Sequence, residues 1–104
     1  MDKASLRRIL SDLIAELLTN QKTKEQTIKE LAQRVDIVDV LDSKDDLIIN
    51  GYYALKYLTD DYETTVFELI YLNDCFIGSK QFSEAERNRF IEDGIKSENR
   101  SNKG

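Results

Sequence analysis

The chain has no proline and no histidine, one cysteine, Cys75, and four glycines, of which Gly104 is its last residue. Each scarcity excludes something. Proline interrupts helices, and sandwiches and barrels need many turn residues, so a chain so poor in both points to helices joined by short turns. The lack of histidine removes the commonest general base, the nucleophile–histidine pairs and the usual zinc and di-iron ligands. A lone cysteine forms no disulfide within the chain, which fits a reducing, cytoplasmic setting. No stretch approaches the ~20 apolar residues of a membrane span. Asp12 and Glu16 interrupt the apolar run that a signal peptide would need near the N-terminus. A phosphate-cradling glycine loop and a CxxC pair are also missing. The expectation is a protein that is not an enzyme and holds no cofactor or metal.

What is present supports one folded core. The chain has 104 residues, and hydrophobic residues make up 40%, with five tyrosines and four phenylalanines. That is enough for one domain without covalent staples.

The stretch Ser43 to Asp61 has apolar residues around most of a helix circumference: Leu47, Ile48, Ile49, Tyr52, Tyr53, Ala54, Leu55, Tyr57 and Leu58. Such a helix is surrounded by others. Gly51 within it costs about 1 kcal/mol of helix propensity and predicts a close approach of a neighbouring backbone.

Before it, Leu6, Ile9, Leu10, Leu13, Ile14, Leu17 and Leu18 fall on one helical face, predicting a helix over Ala4–Thr19 capped by Asp2 or Ser5. Thr23 and Gln26 form a capping box before the stripe Ile28, Leu31, Ala32, Val35. In residues 36–42 the β-branched run Ile37, Val38, Val40 with Leu41 could continue the second helix, form a separate turn or make a short extended piece; β-branching weakens the helical reading, and a helical continuation or a brief helix is the one favoured, with Ser43 as the cap of the central helix. Thr65 with Glu68 and Ser83 with Glu86 are two further boxes, with Gly78 as the residue ending the helix between them. Gly94 is expected to end the last helix. The fold class predicted is all-α: a small antiparallel bundle of four to five helices over residues 1–95, with a disordered tail over 96–104.

The charge of −5 is unevenly spread. Residues 1–35 hold 7 basic and 5 acidic side chains, residues 36–75 hold 2 and 10, and residues 76–104 hold 6 and 5. Asp36, Asp39, Asp42 and Asp45 recur at three-residue intervals with Asp46 beside them, and Asp60, Asp61 and Glu63 extend the acidity. The D-x-D-x-D-G pattern with a distal glutamate that calcium loops use is absent. These carboxylates therefore read either as solvated caps and turns or as a face for a basic protein partner. Tyr53, beside them, is a candidate anchor; most of the tyrosines read as core or core-edge residues with hydroxyls at the rim.

Thr27 to Val35 resembles the first helix of a helix-turn-helix, with Ala32 at the small-residue position. Asp36 at the turn and an aspartate-rich second helix oppose phosphate contacts, which argues against nucleic acid. The leading expectation is a small acidic cytoplasmic interaction module, of the immunity or antitoxin-inhibitor type. A homo-oligomeric subunit and a divergent helix-turn-helix regulator are the alternatives. Cys75 lies in an apolar run and reads as a buried, inert thiol. Asn99-Arg100-Ser101 fits a glycosylation sequon without any sign of secretion.

Overall fold

A computed structural model describes residues 1–60 and 64–102 of the chain, with side chains described as far as Glu98. Among them are six helices and no strand: α1 Lys3–Leu18, α2 Lys24–Arg34, α3 Ile37–Asp42, α4 Asp46–Lys56, α5 Val66–Phe76 and α6 Glu84–Asn102. The all-α class holds. The number exceeds the four to five expected because residues 36–42 form a helix of their own.

Local chemistry accounts for most helix starts. The Asp2 carboxylate accepts from the Ser5 N–H at 2.8 Å, satisfying one of the unpaired first-turn amides of α1. The Thr23 hydroxyl accepts from the Gln26 N–H, and the Gln26 side chain accepts from the Thr23 N–H at 2.9 Å, closing the box at α2. At α5 the Thr65 hydroxyl accepts from the Glu68 N–H at 3.1 Å, while the Glu68 carboxylate lies 3.9 Å from Arg87 of α6. Gly78 follows α5 with a φ of +86°, in the left-handed region where a Cβ would strain the backbone.

Two boundaries differ from the sequence reading. Ser43 does not cap the central helix. It ends α3: its hydroxyl is buried and donates to the Val40 carbonyl at 2.6 Å. Lys44 then adopts a φ of +53°, and the chain restarts with Asp45 as the cap of α4. The central helix is thus shorter than the Ser43–Asp61 span expected. At the other end, α6 passes through Gly94 and reaches Asn102, so residues 96–102, expected as a disordered tail, continue a helix.

α4 keeps its central place, packing against α1, α2, α3 and α5. It buries Leu47, Ile48, Gly51, Tyr52, Ala54 and Leu55. Leu6, Leu10, Leu13 and Ile14 of α1 meet this face, and Leu69, Leu72 and Cys75 of α5 join the same core. Gly51 has a packing reason, though not the one expected. The ring of Phe76 occupies the space of a side chain, with Cζ 2.9 Å from where a Cβ would stand. Thr64 ties the chain after α4 back to it, donating to the Ala54 carbonyl. No described side chain of α6 is buried, and that helix packs on α5.

Candidate interaction surface

The acidic residues have different occupations. Asp36 caps α3, accepting from the Val38 N–H at 2.9 Å. Asp39 lies 3.5 Å from the amino group of Met1. Asp45 caps α4, accepting from the Leu47 N–H at 3.0 Å and the Ile48 N–H at 3.2 Å, and also receives Arg7 at 2.5 Å. Asp42, Asp46 and Asp60 are exposed. Asp61 and Glu63 lie outside the described residues. Like charges three apart on a helix repel; the Met1 amino group places one opposite charge beside Asp39.

The tyrosines follow the core-edge reading in part. Tyr52 is buried and Tyr53 half-buried. Tyr53 stacks on Tyr57 with centroids 5.9 Å apart and planes 8° from parallel, and the Lys56 ammonium lies 5.8 Å from the Tyr57 centroid. Tyr57, not Tyr53, is the exposed member of this group. Tyr62 lies outside the described residues.

Sequence reasoning missed two features. One is Arg7, which reaches 38 residues along the chain to Asp45; nothing local signals such a pair. The other is the pair Val38 and Leu41. On a helix, positions i and i+3 share a face, and these two are 57% and 48% exposed, with Asp39 and Asp42 beside them. The β-branched run was legible; the side of α3 left uncovered was not.

The chain was compared with protein-family models, curated proteins and solved structures, and it matches none of them.

Cys75 is buried, and burial pushes its thiol up from the ordinary range, away from the reactive thiolate. No group of three histidine, cysteine, aspartate or glutamate side chains converges as a metal site among the described residues. Among them, too, no helix is long and apolar enough to cross a membrane.

Asp45 has the most elaborate set of contacts in the acidic region. Burial by itself would raise its pKa; Arg7 and the amides of Ile48 and Leu47 outweigh burial and hold it below the ordinary carboxylate value. A depressed folded pKa gives stability that is present above the unfolded value of about 3.9 and lost as pH falls through the folded pKa. Asp45→Asn keeps a good capping side chain but removes the charge from the Arg7 pair. It is expected to cost about 0.5–1 kcal/mol at pH 7, since Arg7 is half exposed, and to flatten the acid limb of the stability curve below pH 4. Urea titrations at pH 3 and pH 7 measure both effects; an unchanged acid limb would show that Asp45 does not titrate as described.

Proposed function

We propose that this protein works by binding rather than catalysis, as an acidic interaction module whose α3–α4 edge docks a basic protein. The observation that carries the reading is the exposed pair Val38 and Leu41 set among Asp39 and Asp42. An apolar centre with a charged rim is the usual anatomy of a protein-binding patch: the apolar side chains supply affinity, and the carboxylates steer the approach of a cationic partner. Asp42, on α3, and Asp46, at the start of α4, are exposed at this edge. The sharpest form is an immunity or antitoxin-type inhibitor, because a toxin that holds nucleic acid is itself basic and a small acidic protein suits its surface. The helical, single-core fold is compatible with that role by analogy only. An antiparallel bundle arrangement belongs to the same reading.

The helix-turn-helix alternative has less to stand on. Its second helix would be α3, six residues long, presenting Val38, Leu41 and Asp42 to a phosphate backbone that repels carboxylates.

The test is affinity capture from the native lysate at low and high salt, with wild type, Leu41→Ser and Asp39→Asn/Asp42→Asn. The expected result is one stoichiometric basic partner. Its affinity should fall at least tenfold (about 1.4 kcal/mol) in Leu41→Ser, and its binding should be slower and less salt-dependent in the double asparagine variant. A partner retained equally by all three proteins at all salt concentrations would remove the acidic-edge reading.

A further inference from the structure

Two exposed aliphatic residues of α5, Val66 and Ile70, open on different grooves. Val66 shares its groove with Lys22 and Lys24, and the Lys22 ammonium there is already met by the carboxylates of Glu16 and Glu30. Ile70 opens on a channel between α5 and α6. Phe67 and Ile70 of α5 with Phe90 and Gly94 of α6 form its apolar floor, and Asp93, Ser97 and Glu98 of α6 line it above them. The channel has a volume of about 610 Å³ and is open to solvent. Gly94 shapes the floor: the ring of Phe67 takes the space that a side chain would fill there.

The charge of this channel is of one sign. Asp93 and Glu98 are exposed. The ion pairs of α6 among the described residues are those of Arg87 with Glu68 and Glu84, and neither Asp93 nor Glu98 takes part in them. Among the described residues no lysine or arginine lines the channel. Lys80 lies over the Phe90 ring at 4.3 Å, but Asp74 already holds it at 3.6 Å. An apolar floor is thus bordered by two carboxylates that the fold does not neutralise.

We propose that the α5–α6 channel docks a segment of a protein partner in which apolar side chains are flanked by lysine or arginine. The floor rewards apolar burial, and Asp93 and Glu98 receive the cations beside it. Charge complementarity selects this occupant. An acidic segment, or a second copy of a chain of net charge −5, meets repulsion from the two carboxylates. A purely cationic ligand makes only exposed ion pairs, which are weak, and leaves the floor wet. Small molecules are normally enclosed over most of their surface, whereas an open channel suits a stretch of chain lying along it. The channel shares no residue with the α3–α4 edge, and either surface can fail without the other.

Amide NMR titration of the full chain tests this with three short synthetic peptides: leucine and lysine at helical spacing, the same peptide with glutamate for lysine, and oligolysine. The leucine–lysine peptide is expected to shift the amides of Ile70, Asp93, Gly94 and Ser97 to saturation. Oligolysine is expected to bind there at least about tenfold more weakly, and the glutamate peptide not at all. Ile70→Lys and the pair Asp93→Asn/Glu98→Gln are each expected to weaken the leucine–lysine peptide in the channel at least about fivefold, with unchanged helical circular dichroism. Leu41→Ser is expected to leave the channel shifts as in wild type. Shifts confined to residues 38–42, an absence of channel shifts, or equal binding of either control peptide overturns the proposal. So does equal affinity in both channel variants, or a loss in Leu41→Ser. Channel shifts that grow with protein concentration alone, without peptide, would make a second copy the occupant and overturn it too.

Discussion

Replacing Tyr71 with alanine is expected to lower stability by about 3–5 kcal/mol, the range for removing a large buried aromatic. Its side chain is 1% exposed and fastens α6 to the rest of the molecule. The ring packs against Phe82 and Phe90, with centroids 6.2 and 5.9 Å away, and Lys80 lies 5.5 Å from its centre. The hydroxyl accepts from the Ser83 N–H at 3.0 Å and lies within donating distance of the Ser83 and Gln81 carbonyls. One side chain thus holds both the connection before α6 and the first turns of that helix. Tyr71→Phe separates the two contributions. It keeps the packing and leaves the Ser83 amide without its acceptor, for an expected loss of about 1–3 kcal/mol. Urea unfolding of both variants, with amide exchange along α6, gives the measurement. A loss below about 1 kcal/mol for Tyr71→Ala would mean that α6 docks without this pin.

Gly94→Ala is expected to destabilise by about 1–2 kcal/mol, although helix propensity alone predicts a gain of about 1 kcal/mol. A Cβ at Gly94 would stand 2.4 Å from Cδ1 and 2.5 Å from Cγ of Phe67. Cγ is the root of the ring, so Phe67 cannot swing clear without leaving its rotamer, and α6 must lift instead. Overpacking of this sort costs about 1–3 kcal/mol or more. Gly51→Ala supplies the contrast. Its closest contact would be Cζ of Phe76 at 2.9 Å, the far end of a half-buried ring that can retreat. The cost of that retreat and the propensity gain nearly cancel, so Gly51→Ala should lie close to wild type. Thermal unfolding of the two variants decides the matter: a raised melting temperature for Gly94→Ala would show that Phe67 does not hold α6 by that contact.

The elements that were legible in the sequence are those whose causes lie within a few residues. The Thr23 box, the Asp2 cap and the turn at Gly78 depend on partners three or four positions away, so reading them needs no knowledge of the fold. The stripe Leu6, Leu10, Leu13, Ile14 is equally local, because its 3.6-residue period defines a face before anything covers it. The absence of proline and the scarcity of glycine fixed the all-α class on the same ground.

Ser43 and Gly94 show where local reasoning stops. Ser43 and Asp45 are both good cap residues. Asp45 is the one that caps α4, with Lys44 in a left-handed conformation before it and Arg7 of α1 on its carboxylate. Gly94 has the composition of a helix end, yet Phe67, 27 positions earlier, uses its missing side chain as a seat.

The candidate surfaces divide in the same way. The sequence by itself determined that the acidity is concentrated in residues 36–75, that the stretch around Leu47 to Leu58 is apolar around most of its circumference, and that histidine and disulfide chemistry are excluded. Only the tertiary structure decided that Asp45 rather than Ser43 caps α4, and that Asp42 and Asp46 remain exposed. It likewise decided which apolar residues of α3, of α5 and of the C-cap of α5 are left uncovered: Val38, Leu41, Val66, Ile70 and Ile77. The physical reason is that charge and periodicity are properties of the chain, whereas burial is a property of what packs against it. Helices far apart in sequence settle that burial.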